Sequence, residues 1–98
     1  MLQILRTADF DVWLGALRDK VGQKQVLVRL ARLSLGNWAD CKPVGGDVVE
    51  LSIHSGPGYR VYCWKDSLTV VAALGGCDKS CQERDIARAQ DMVTLLKE

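Results

Sequence analysis

Glu50, His54 and Arg60 lie close together in this chain, and Tyr62 and Trp64 follow Arg60 at two-residue spacing. His54 is the single histidine, and its ordinary pKa near neutrality suits it to donate or accept a proton. Glu50 is the alternative base. Arg60 brings a planar guanidinium that can hold a phosphate through two parallel hydrogen bonds, and the rings of Tyr62 and Trp64 are faces on which bases stack. Such a set can transfer a proton beside an anchored anion. Each residue also has a plainer reading: His54 as a structural or solvated residue before a turn, Glu50 and Arg60 as exposed strand charges, and Tyr62 and Trp64 as rings lying beneath a helix or a partner protein.

The local pattern says how these residues are positioned. Pro57 presets φ at the second position of a β-turn and Gly58 permits φ > 0 at the third, which predicts a type II turn. Beyond it the side chains alternate, so Arg60, Tyr62 and Trp64 share one sheet face while Val61 and Cys63 share the other. With His54 opposite Arg60, residues Val49, Leu51 and Ile53 join Val61 and Cys63 on one apolar face. A two-residue turn at Lys65-Asp66 then sets Leu68 opposite Cys63 and Val70 opposite Val61. The strands 48–54, 59–64 and 68–74 form an antiparallel meander, with Leu51, Ile53, Val61, Cys63 and Val70 as its covered face.

The rest of the chain supplies the cover. Residues 1–7 read as a short strand. Asp9 caps a helix whose apolar stripe is Phe10, Trp13, Leu14, Leu17 and Val21, and Gly22 ends it. A second helix runs from Gln23 to Leu35, with Val26, Leu27, Leu30 and Leu33 inward, and Gly36-Asn37 stops it. So short a join predicts an antiparallel helical hairpin. Lys20, Lys24, Arg29 and Arg32 form either a basic stripe able to touch RNA phosphates or a solvated helix face. Residues 37–47, with Pro43, Gly45 and Gly46, read as a loop. Ser80 and Glu83 have capping-box spacing, and Ile86, Ala89, Val93 and Leu96 continue a helical stripe. The order β-α-α-β-β-β-α indicates one α+β domain over residues 1–98.

Bulk properties narrow the function classes. A net charge of +1 supplies no global attraction to nucleic acid, so any RNA contact must come from a local cluster. No apolar run approaches a membrane span and the first residues lack a signal-peptide layout, which leads us to expect a cytoplasmic chain with no membrane partner. Cys41, Cys63, Cys77 and Cys81 form no C-x-x-C pair, and His54 is not spaced with them as a zinc motif requires. They read as free thiols, with Cys63 a small buried hydrophobe. No metal or other cofactor is expected.

Gly56 to Tyr62, Glu50-Leu51 upstream, Asp78-Lys79-Ser80 downstream, and Arg29 to Leu33, Gly36-Asn37, Asp40 and Lys42 occur in an order that resembles the RelE/ParE superfamily of bacterial toxins, in its small HigB-like, phage-type addiction module killer branch. The resemblance implies a RelE-like antiparallel sheet with an N-terminal helical hairpin and a C-terminal helix. It also implies the toxin of a type II toxin-antitoxin module: a metal-independent endoribonuclease (mRNA interferase) that cuts messenger RNA on the ribosome, silenced by an antitoxin of helix-turn-helix type encoded alongside. Arg60, His54, Lys79 and Glu50 would then carry the cleavage, and Tyr62, Trp64, Lys42, Arg29 and Arg32 would contact RNA. Ser52, Cys77 and the absence of a Tyr or His after Tyr62 depart from the family pattern. With the low net charge, the missing aromatic or histidine leaves open a ParE-like gyrase poison without nuclease chemistry, or a degenerate toxin that retains antitoxin contacts.

Overall fold

Two strands carry Glu50, Arg60, Tyr62 and Trp64: β3 (Val48–Ile53) and β4 (Tyr59–Asp66) in a computed structural model that describes residues 3–38, 41–66, 69–78 and 82–97. Side chains at 65–66, 69–74, 82–83 and 97 lie outside that description. The other elements are β1 (Gln3–Arg6), α1 (Ala8–Ala16), α2 (Lys20–Ser34), β2 (Cys41–Gly45), β5 (Thr69–Asp78) and α3 (Gln82–Lys97). The protein is α+β. Its five-stranded sheet has the order β1-β5-β4-β3-β2, antiparallel except that β1 pairs in parallel with β5. No helix among the described residues is long and apolar enough to cross a membrane.

The expected faces are found, in a shifted register. Ser52, not His54, pairs with Arg60, and Leu51 pairs with Val61. A slip of two residues keeps every side chain on its face, so Leu51, Ile53, Val61 and Cys63 are buried together with Phe10, Leu14, Val26, Leu30 and Leu33. The second expected turn is overturned. Lys65 and Asp66 belong to β4 and pair with Val70 and Thr69, after an irregularity between Tyr62 and Trp64. The Val70 side chain is outside the described set.

The opposite face is also covered, because α3 packs on it. Val48, Tyr62, Trp64 and Cys77 form a second core with Ala89 and Val93, flanked by Ile86 and Met92. Gln90 Nε2 donates to the Val44 carbonyl at 3.1 Å, fastening α3 to the β2–β3 hairpin. The expected capping residues Ser80 and Glu83 lie outside the described residues or side chains.

Strand β2 occupies part of the expected loop. It is an edge strand, where Pro43 costs no ladder bond toward a second neighbour. The helices also break earlier than expected. Thr7, not Asp9, caps α1, and Asp19 caps α2 by accepting from the Gly22 N–H at 2.9 Å. Gly22 is therefore buried inside α2, where a Cβ would lie 2.6 Å from the Tyr59 ring, while Val21 is exposed. Instead of lying mainly along each other, α1 packs on β5 and α2 crosses β3, β4 and β1. Helix α2 ends as expected: Gly36 takes φ 90°, and the Gly36 and Asn37 N–H groups donate to Leu33 and Arg32 carbonyls.

Candidate functional site

The turn that opens β4 sits one residue earlier than predicted. The Gly58 N–H donates to the Ser55 carbonyl at 2.9 Å, so Gly56, at φ 55°, takes the second position and Pro57 the third. Asp19 braces it from α2. Its carboxylate receives the Tyr59 hydroxyl at 2.9 Å and lies 2.8 Å from where a Gly56 Cβ would stand. These bonds, from Gly22 first and then Tyr59, hold the Asp19 carboxyl below its usual range. Burial, foremost, and the Asp19 contact push the Tyr59 phenol up. Asp19 and Tyr59 were missed as site-building residues because Gly22 looked like a helix end; an Asp before a new apolar period was the available signal.

This brace shapes an open hollow of about 320 Å³, lined by Ser52, His54, Gly56, Gly58 and Arg60 among others. A smaller hollow of about 140 Å³ shares Ser52 and His54 and is walled by Arg29 and Arg32 of α2. The fold therefore gathers Arg29, Arg32, His54 and Arg60 around the end of β3. His54 and Arg32 are exposed, whereas Arg29 is half-buried. Arg29 Nη1 donates to the Asn37 carbonyl at 3.0 Å, and its Nη2 is buried with no partner among the described residues. Arg29 thus holds the end of α2 and is not simply a solvent-facing cation.

Glu50 corrects the expected solvent-facing base. It is wholly buried, and its Oε1 accepts from Arg60 Nη1 at 2.7 Å. Lys42, which pairs with Glu50 across the sheet, places its Nζ at 3.9 Å from the same oxygen. The Arg60 side chain remains 23% exposed, and its Nε and Nη2 have no other partner among the described residues. Glu50 therefore orients the guanidinium, while Arg60 keeps two nitrogens for an anion. A carboxylate committed in this way is a poor proton shuttle.

The aromatic ledge is also corrected. Tyr62 is fully buried and Trp64 is 8% exposed, so neither offers a face to a base. The Tyr62 hydroxyl is buried beside the Glu50 carboxylate, without a well-formed hydrogen bond among the described residues. Burial, then the Glu50 and Asp85 carboxylates, push its phenol up to about 12. Lys79 lies outside the described residues. Of the cysteines, Cys41 and Cys63 are free, with burial pushing the Cys63 thiol up to about 12. Cys77 is disulfide-bonded, contrary to the expected thiol, and Cys81 is outside the described residues.

The site thus defines an α+β protein whose antiparallel strands present a carboxylate-anchored arginine at an open, basic sheet end. No family model matches the chain. Over 89 residues it is 39% identical to an uncharacterized protein of Haemophilus influenzae, a match that spans 91% of this chain and 90% of that protein. The chain belongs to the same family as that protein.

Proposed function

We propose that this chain is a RelE/ParE-superfamily toxin of the HigB-like branch, an endoribonuclease that cuts messenger RNA on the ribosome and is silenced by an antitoxin encoded alongside. The observation that carries the reading is Arg60, held by buried Glu50 and lining a hollow with Ser52 and His54. The order of one strand, two helices, antiparallel strands and a last helix supports it. In the proposed reaction an RNA 2′-hydroxyl attacks the adjacent phosphorus. The P–O5′ bond breaks, leaving a 2′,3′-cyclic phosphate and a free 5′-hydroxyl. His54 exchanges the proton at the hollow's rim, and Arg60 stabilises the charge gathering on the phosphoryl oxygens. Lys42, beside Glu50, and the exposed Arg32 of α2 add cations for ribosomal RNA phosphates, while Arg29 holds the end of α2 that carries Arg32.

A second reading, a gyrase poison without nuclease chemistry, is favoured by one observation: burial of Tyr62 and Trp64 removes the stacking ledge. Translation of a defined message on purified ribosomes, with mapping of 5′ ends and gyrase supercoiling run in parallel, separates the two. The nuclease reading expects new 5′ ends and a loss of ~100-fold or more in Arg60→Lys, by analogy with removal of a transition-state donor. Intact message with inhibited supercoiling overturns it. Intact message with normal supercoiling points to a degenerate toxin.

A further inference from the structure

Two hollows meet at the end of β3. The larger, about 320 Å³, is lined by Arg60, and the smaller, about 140 Å³, by Arg32 of α2. Ser52, Ile53 and His54 line both, so the two adjoin with an arginine on either side. No carboxylate among the described residues lines either hollow. The carboxylates nearby are committed: Asp19 to Gly22 and Tyr59, and Glu50 to the Arg60 guanidinium.

The smaller hollow has donors to spare. Arg32 is exposed and Ser52 is half-buried, and neither side chain has a hydrogen bond or ion pair among the described residues. Arg29 differs: its Nη1 holds the Asn37 carbonyl and its Nη2 is buried, so it adds charge to the wall without a free terminal N–H for a ligand. Helix α2 carries no Asp or Glu to offset Arg29 and Arg32, and like charges on neighbouring helix positions repel. An anion in the hollow relieves that repulsion. The Arg32 guanidinium and the Ser52 hydroxyl are donors suited to phosphoryl oxygens. At under half the ~300 Å³ of ordinary ligand pockets, the space fits one compact anionic group and no nucleoside. The Arg60 hollow beside it has room for a second such group, with exposed His54 between the two.

We infer, on the RNA reading of the Arg60 hollow, that the sheet end holds two consecutive phosphates of one strand: one at Arg60, its neighbour at Arg32 and Ser52. Arg32, a general cation in that reading, thereby takes a particular phosphate and sets which bond lies at Arg60. The 2′-O-methyl dinucleotides UmpUm, with one phosphate, and pUmpUm, with two, lack the attacking hydroxyl and measure binding alone. Titration of the ¹⁵N-labelled chain with each, and with inorganic pyrophosphate, is read at the Ser52, Ile53 and His54 amides and the Arg32 Nε–H. The two-phosphate dinucleotide should bind about tenfold tighter than the other, as one more charge-assisted contact gives, and tighter than pyrophosphate. Arg32→Ala should erase that advantage and leave UmpUm binding as it was, and Ser52→Arg should restore it by returning a cation to the shared wall. Lys24→Ala, which removes a charge from α2 outside the hollow, should keep it. An advantage that is absent, that survives Arg32→Ala, or that pyrophosphate matches overturns the inference. An Arg32-dependent advantage alongside intact message on ribosomes would remove the nuclease reading and leave the two-phosphate site standing.

Discussion

Arg60→Ala tests the anchored arginine most directly, and its first effect is expected on stability. Glu50 is wholly buried and bonds Arg60 at 2.7 Å, so truncation strands a carboxylate without its main partner. Removing one member of a buried pair costs ~3 to 5 kcal/mol, and two charges ~4 Å apart at an effective dielectric of ~20 attract by ~4 kcal/mol. Two features lower the figure. Arg60 is 23% exposed, so water reaches the vacated space, and Lys42 stays 3.9 Å from the Glu50 oxygen. We expect a loss of about 3 kcal/mol, the low end of that range. Replacing both groups, Glu50→Gln with Arg60→Met, should cost less than Arg60→Ala alone, since no buried charge is then left unpaired. Urea unfolding followed by tryptophan fluorescence gives each stability, and the cycle Glu50→Gln, Arg60→Met and the double variant gives the coupling, expected at ~2 kcal/mol or more. Refutation takes the form of an Arg60→Ala loss below ~1 kcal/mol or a coupling within the ~0.5 kcal/mol scatter of independent sites. This also explains why Arg60→Lys, which keeps a cation beside Glu50, is the better variant for separating chemistry from folding.

The face shared by Leu51, Ile53, Val61 and Cys63 is legible in the sequence because period-two alternation specifies a face even when the register is off by two. Tyr62 and Trp64 differ from that expectation because the sheet has two covered faces. Val48-Val49 and Tyr62-Cys63-Trp64 are continuous apolar runs, the mark of strands buried on both sides, and the amphipathic α3 was at hand to bury the second. Once that face is closed, Glu50 must have a partner, and Arg60 is where the register supplies it. Strand β2 was hidden by Pro43 and two glycines, a composition that an edge strand tolerates as well as a loop does. The site's cations were legible as residue types. Their gathering around the end of β3 was not, because it depends on where α2 crosses the sheet.

Two further outcomes follow from the packing. Gly76→Ala would put a Cβ 2.4 Å from rigid indole atoms of Trp13, so urea unfolding should show a loss of ~1 to 3 kcal/mol. Most of that loss should be relieved when Trp13→Ala is the background, and equal losses in both backgrounds would remove Trp13 as the obstacle. The second outcome concerns alkaline pH. Both tyrosines of the chain bind their protons more tightly when folded: the Tyr59 phenol is pushed up, and the Tyr62 phenol is pushed up to about 12. A raised folded value means that the stabilisation is fully present below the unfolded value of ~10 and is lost as pH rises through the folded value. Stability should therefore decline from pH ~10 toward ~12, and tyrosinate absorbance should lag behind that of the same chain in denaturant. Tyr62→Phe should flatten much of that decline. A native chain whose two phenols ionise together near pH ~10, with no loss of stability, would mean that Tyr62 is not beneath α3 and that the second face of the sheet is open after all.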